Sequence, residues 1–134
     1  MSEQALSGLK VVELGNFISA PYCTKLMADL GAEVRKVEDP SGDESRRYGP
    51  FLNGEPHYEK SGLYLYLNTN KLGITLDVKT KTGQKILKKL LKDADVFVEN
   101  NPPTQMAELG LDYYSLKKGI VKKIIITLVE LKIS

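Results

Sequence analysis

Short apolar runs closed by glycine or proline recur along the chain, and between them lie stretches whose apolar residues return every three or four positions. The first run, Lys10–Leu14 (KVVEL), ends at Gly15 and is too short for a helix, so it reads as a buried strand. After a loop over residues 15–20, Pro21 suits a first helical turn, because its fixed φ and missing N–H do no harm there. Tyr22, Leu26, Met27 and Leu30 follow at helical spacing as the apolar face, and Gly31 stops the helix. Residues 32–38 (AEVRKVE) hold the β-branched pair Val34 and Val37 and run into the turn Asp39-Pro40-Ser41-Gly42, which predicts a second strand. Such a strand–helix–strand unit requires parallel strands and a right-handed connection.

Residues 40–61 are rich in Gly, Pro, Ser and charge and contain His57; they read as a long loop. Structureless loops of about 20 residues are uncommon in compact domains and are usually functional, which makes this one a candidate lid or binding loop. Ser61 caps a short helix over 62–67, where the alternation of Leu63, Leu65 and Leu67 also suits a strand. Residues 73–78 (GITLDV) alternate as a strand, and Thr80 then caps a helix with Ile86, Leu87, Leu90 and Leu91 on one side and lysines on the other. Residues 95–99 (DVFVE) form a further strand, Thr104 caps a brief helix through Leu109, another helix covers 113–118, and residues 123–129 (KIIITLV) supply a fifth strand. Continuous apolar strands alternating with helices imply an α/β fold: one domain over residues 1–134, with a Rossmann-like, doubly wound parallel sheet and helices on both faces.

Composition adds little beyond this frame. With 134 residues, 42% apolar and 27% charged, the chain is an ordinary globular domain. A net charge of +2 from 19 basic and 17 acidic residues gives no reason to expect a nucleic-acid partner. The longest greasy run, residues 124–129, is far short of the ~20 residues that cross a bilayer, and the start lacks the pattern of a signal peptide, so no membrane partner is expected. One cysteine, Cys23, excludes an internal disulfide and a multi-cysteine metal site and suits a reducing, cytoplasmic setting.

Candidate chemistry is sparse. No G-x-G-x-x-G or G-x-x-x-x-G-K-[ST] occurs, so neither phosphate-binding fingerprint is met. Lys79, Lys81, Lys85, Lys88, Lys89 and Lys92 read as a solvated helix face, His57 as a loop histidine without a partner, and no metal site is expected. Cys23 sits near a helix start but reads as a packing residue, and Asp43, Glu44, Arg46 and Arg47 suit either a polar clamp or a solvated loop. In an open parallel sheet, ligands sit beyond the carboxyl ends of the strands, which directs attention to the loops after Leu14, Glu38, Asp77 and Glu99.

The ordered set Leu6-Ser7-Gly8-Leu9-Lys10-Val11-Val12-Glu13-Leu14, Ala20-Pro21-Tyr22-Cys23-Thr24, Leu26-Met27-Ala28-Asp29-Leu30-Gly31-Ala32-Glu33-Val34 and Lys36-Val37-Glu38 resembles the amino-terminal region of family III CoA-transferases. Formyl-CoA transferase, carnitine CoA-transferase and α-methylacyl-CoA racemase belong to that group. Gly42-Asp43 with Arg46, Asn68-x-Asn70-Lys71, Ile74-x-Leu76-Asp77-x-Lys79, Gly83, Ala94-Asp95-Val96, Val98-Glu99-Asn100 and Leu109-Gly110-Leu111 continue the resemblance in order, from Leu6 to Thr127. It implies CoA transfer from an acyl-CoA to a carboxylic acid through an aspartyl intermediate, with coenzyme A as substrate or carrier. Positions matching family CoA contacts are Ile18, Ser19, Asp39, Leu76, Asp77, Val78, Lys79, Asn100 and Asn101.

The resemblance also sets the limits. The family's nucleophilic aspartate lies in a later segment, and no residue here matches it, so the chain is expected to be a truncated amino-terminal portion, an incomplete version of the family fold that is inactive alone. Completion by a second copy, in a homo-oligomer, or by a missing complementary segment is implied. Asp39 stands where the family often has a basic residue, Asn101 where it has an aromatic, Thr104 where it has a glycine and Glu108 where it has an arginine, changes that weaken attraction for a polyanion. The tail after Leu116 departs furthest from the family pattern. The alternatives are a non-catalytic CoA- or nucleotide-binding module, or an oligomerising relic that pairs through residues 124–129.

Overall fold

The computed structural model describes residues 2–119 and 124–129. Elements follow in the order β1 (Lys10–Leu14), α1 (Ser19–Asp29), β2 (Glu33–Glu38), α2 (Gly62–Leu67), β3 (Lys71–Thr75), α3 (Lys81–Asp93), β4 (Val96–Glu99), α4 (Pro103–Glu108), α5 (Tyr113–Gly119) and β5 (Ile124–Thr127). All strand pairings are parallel, in the order β3-β2-β1-β4-β5. The chain therefore starts in the middle of the sheet and winds outward first to one edge and then to the other, which brings helices onto both faces, as expected.

Side-chain alternation along the strands splits the core in two. Val12, Leu14, Val37 and Phe97 pack against Leu87 and Leu91 of α3, Met106 of α4 and Leu116 of α5. Val11, Val34, Val96 and Val98 meet Ala20 and Ala28 of α1 on the other face. Here the sequence expectation for α1 needs correcting. Tyr22, Leu26 and Leu30 are exposed, and the buried positions are the small residues Ala20, Pro21, Thr24 and Ala28. A polar cluster beneath α1 occupies the space that large side chains would otherwise fill.

Local signals explain most element ends. Ser61 Oγ accepts the Tyr64 N–H at 3.1 Å and Thr80 Oγ1 accepts the Gly83 N–H at 3.0 Å, so both predicted caps form. Gly31, at φ +101°, makes the turn out of α1 that a side chain would strain. Thr104 is not a cap: Pro102 occupies that position and Thr104 lies inside α4. Strand β3 also differs from expectation, running from Lys71 to Thr75 rather than over 73–78, because its register is set by β2, with Lys71 opposite Val34 and Thr75 opposite Glu38. Residues 76–78 instead lead into α3. The fifth strand is shorter than expected, and its expected first residue, Lys123, falls outside the described residues.

The long segment after β2 is not structureless. It contains 3-10 turns at Glu44–Arg47 and Leu52–Gly54 and an antiparallel bridge between Phe51 and Ser61. Among the described residues, no helix is long and apolar enough to cross a membrane.

Candidate functional site: a cleft at the carboxyl ends of the strands

Where β1, β2 and β4 end, the chain turns away in opposite directions and leaves a cleft of about 680 Å³. That volume falls within the ~300–1,000 Å³ usual for small-molecule sites. Apolar side chains floor it, among them Leu14, Val37, Leu76, Val78, Met106 and Leu109. Backbone and polar groups of the strand-exit loops form its rim.

Asn100 and Asn101 shape that rim. Asn100 accepts the Asn16 N–H on Oδ1 at 2.9 Å, and its Nδ2 donates to the Asn16 carbonyl at 2.7 Å and to Ser19 Oγ at 3.0 Å. Asn101 Nδ2 donates to the Leu14 carbonyl at 2.7 Å, while its N–H is held by Glu99 Oε2 at 2.8 Å. These bonds tie the exit of β4 to the loop between β1 and α1. Phe17, at φ +65° in that loop, packs on Tyr48 as a tilted ring pair with centroids 4.9 Å apart and donates its N–H to Asp43 Oδ1 at 3.1 Å. Both side chains thus hold the rim in shape, a role that the sequence pattern did not reveal.

The nine positions that the resemblance named divide accordingly. Asp39, Leu76, Val78, Lys79, Asn100 and Asn101 line the cleft. Ile18, Ser19 and Asp77 are not among the lining residues; Ser19 lies beside it through Asn100, and Asp77 is used by its turn. Asp77 Oδ1 accepts the Lys79 N–H at 2.9 Å and its carbonyl accepts the Thr80 hydroxyl at 2.8 Å, so it launches α3. Asp39 holds Ser41 through N–H and hydroxyl bonds of 2.8 and 2.6 Å, which keep its carboxyl below the usual range. Thr104 and Glu108 lie on the exposed side of α4, outside the lining.

Two buried charge clusters stand behind the rim; the sequence reading named neither Glu13, Lys36 nor Lys71 as buried charges and offered Asp43 and Arg46 only as parts of a polar clamp or a solvated loop. Under α1, Lys36 Nζ lies 2.8 Å from Glu13 Oε2 and 2.7 Å from Asp43 Oδ2, and Lys71 Nζ lies 2.7 Å from Glu13 Oε1. Thr24 also donates its hydroxyl to Glu13. Burial alone pushes the Glu13 carboxyl up, but the two ammonium groups outweigh it and hold it below its ordinary value. Lys36 is correspondingly raised: burial pulls it down, and Glu13 and Asp43 more than reverse that. For Lys71 burial wins over Glu13, and its ammonium is pulled down to about 8. The available signal was a charge in the middle of each central strand, Glu13 and Lys36, which the parallel pairing sets directly opposite one another.

The second cluster surrounds Glu38 at the end of β2. Arg46 donates to it from Nε at 2.5 Å and from a terminal nitrogen at 3.0 Å, Tyr64 from its hydroxyl at 2.9 Å, and the Asp43 N–H at 2.9 Å. Burial would raise this carboxyl, yet these donors bring it to about 2. The Arg46 guanidinium lies over the Tyr64 ring at 3.6 Å and the Tyr58 ring at 4.3 Å. Glu38 and Arg46 therefore pin the segment expected to be a lid against the sheet. Cys23 is half-buried against the α1-side core, and burial with the nearby Glu13 carboxylate raises its thiol.

The model of CoA-transferase family III matches residues 6–130. The chain belongs to CoA-transferase family III. Among curated relatives of the family it is 40% identical over 112 residues to (R)-2-hydroxy-4-methylpentanoate CoA-transferase of Clostridioides difficile, covering 84% of this chain and 28% of that one. To succinyl-CoA:glutarate CoA-transferase of Mus musculus it is 40% identical over 119 residues, covering 87% and 26% respectively. A solved CAIB/BAIF family protein from Brucella suis superposes with a TM-score of 0.83 at 36% identity, over 94% of this chain and 33% of the other. The chain thus spans little more than a quarter of the length of these curated relatives of CoA-transferase family III.

Proposed function

We propose that this chain is the part of a family III CoA-transferase that holds the CoA arm of an acyl-CoA, in an enzyme that passes CoA to a carboxylic acid. The observation that carries the proposal is the cleft itself: an apolar floor at the carboxyl ends of β1, β2 and β4, with a rim fixed by Asn100 and Asn101. An extended, weakly polar pantetheine arm suits such a floor, and the strand ends are where ligands of open parallel sheets bind. The relatives' names describe CoA exchange between acyl-CoA and carboxylate partners.

Within the transfer, these residues do the holding. Leu76, Val78, Met106 and Leu109 exclude water from the arm, and Lys79 meets its anionic end. No residue here matches the family's nucleophilic aspartate, so we assign thioester attack to the part of the family fold that this chain does not span. The chain alone is accordingly a binding body without turnover, completed by further polypeptide or by a second copy.

Thermal melting with CoA tests this reading. A ligand that binds only the folded state stabilises it by ~2.7 kcal/mol at a hundred times its dissociation constant. For a domain of this size that corresponds to a rise on the order of 10 °C. An unchanged melting curve at millimolar CoA refutes the holding role. Formation of a covalent CoA thioester on a residue of this chain refutes the assignment of the nucleophile elsewhere.

A further inference from the structure

The outer side of α3 carries charge of one sign. Lys81, Lys85, Lys88 and Lys92 recur at intervals of four, three and four residues, which sets them in one stripe along the helix, with Lys89 beside it. All of them are exposed, whereas Leu87 and Leu91 are buried against the sheet. Among the described residues, Lys81, Lys85, Lys88 and Lys89 form no ion pair within 4 Å. Asp93, the acidic residue of α3, lies at its far end, 3.1 Å from Lys10. Like charges three and four positions apart repel one another, so the stripe opposes the helix that carries it.

This stripe starts at the cleft. Val78 and Lys79 line it, Thr80 caps α3, and Lys81 is the first residue of the helix. At a rise of ~1.5 Å per residue, Lys85 stands ~6 Å and Lys88 ~10 Å farther along the axis. Both lie within the ~10 Å over which charge acts at 0.1 M salt, and well inside the ~30 Å at 0.01 M. The two sides of the mouth differ in charge. At the exit of β2, Glu38 and Asp43 are compensated by Arg46 and Lys36, Asp39 is drawn towards Lys79, and Glu44 is the remaining charged side chain of the described lining. On the other side, residues 76–92 hold one carboxylate, Asp77, against six lysines, so an approaching anion meets a net positive flank.

From this we propose that the lysine stripe of α3 steers the polyanionic carrier to the cleft, with Lys81, Lys85 and Lys88 raising the rate of its capture. The inference rests on the reading that the cleft holds the CoA arm. Coenzyme A bears a diphosphate and a phosphate monoester, the latter alone worth about −1.5 to −2 charges at neutral pH, so the field acts on it before contact. Exposed charge at the edge of a site changes association and its salt dependence more than dissociation, which the apolar floor sets. The stripe also supplies positive charge that positions 39 and 108, acidic here, do not.

Stopped-flow fluorescence on the whole 134-residue chain with etheno-adenine coenzyme A, which keeps every phosphate of coenzyme A, reads the association rate. At ~0.01 M salt association is expected to be about tenfold faster than near 1 M, where the screening length falls to about 3 Å. The triple variant K81Q/K85Q/K88Q is expected to associate about tenfold more slowly than the unaltered chain at low salt, with dissociation changed by no more than about twofold, and to match it near 1 M. Pantetheine, which has no phosphate, is the control: titration calorimetry is expected to give it the same affinity for both chains. An association rate independent of salt, a variant that captures the carrier as fast as the unaltered chain at low salt, or a loss of pantetheine binding in the variant overturns the inference and leaves the proposed function standing. Failure of the unaltered chain to bind either ligand overturns the proposed function and this inference with it.

Discussion

Lys36→Met isolates what the charge cluster beneath α1 contributes. Lysine and methionine are close in length and volume, so the substitution leaves the packing under the helix nearly unchanged and removes only the ammonium group. That group faces two buried carboxylates, Glu13 at 2.8 Å and Asp43 at 2.7 Å. Glu13 keeps Lys71 at 2.7 Å and the Thr24 hydroxyl. Asp43 is worse placed. Its Oδ1 retains the N–H and hydroxyl of Ser45 at 2.8 and 2.6 Å, but its Oδ2 loses the charge it faces. Removing one partner of a buried ion pair typically costs about 3–5 kcal/mol, because the remaining charge is left in a low-dielectric interior. With a urea dependence of about 2 kcal/mol/M, a 3 kcal/mol loss lowers the unfolding midpoint by about 1.5 M. The control is Lys10→Met, which removes an exposed partner of Asp93, with side chains 45% and 61% exposed, and is expected to cost about 1 kcal/mol or less. A midpoint shift no larger than that of the Lys10→Met control refutes the reasoning.

Three further predictions follow from the geometry. Glu38 has its folded pKa depressed to about 2, so its stabilising contribution is present above the unfolded value near 4.3 and is lost as pH falls towards 2; Glu38→Gln is expected to flatten the acid limb of a stability-against-pH curve, and an unchanged limb contradicts that. Thr80→Ala removes the cap of α3 and is expected to cost about 1 kcal/mol in chemical denaturation, whereas Gly83→Ala puts a Cβ 1.8 Å from the Asp77 carbonyl oxygen and is expected to cost more; the reverse ranking contradicts the turn geometry. The Cys23 thiol, raised by burial and by Glu13, is expected to react with iodoacetamide at pH 7.5 more slowly than free cysteine, and faster alkylation overturns the packing assignment.

Hydrophobic patterning carried much of the fold, and its failures share one cause. Lys10–Leu14 is read correctly because its apolar residues pack on both faces of a central strand. Residues 73–78 alternate convincingly, yet the strand lies at Lys71–Thr75, because pairing with β2 and the reach of Lys71 to Glu13 outweigh local alternation. Tyr22, Leu26 and Leu30 have the spacing of a buried face but are exposed, since the room under α1 goes to Thr24, Glu13 and Lys36. A reading that sends charges outward cannot find a charge balanced by residues 23 or 58 positions away. The same applies to the cleft. Its location follows from strand order, and the family resemblance named most of the strand-end segments around it. That Asn100 and Asn101 spend their amide groups on Asn16, Ser19 and Leu14 depends on loops meeting in space.

Setting Glu13 opposite Lys36 across the two central strands has a consequence for how the sheet assembles. Strands that are apolar on both faces lack the inward–outward alternation that otherwise fixes register, so valines beside valines alone would distinguish alignments less sharply. A shift by one position would set Glu13 against Arg35 or Val37 and turn one charge towards the opposite layer, and a shift by two would place it beside Val34 or Glu38. Each misaligned form strands a carboxylate or an ammonium in the interior, so the ions act as a key that admits one alignment and makes assembly more faithful than grease alone would.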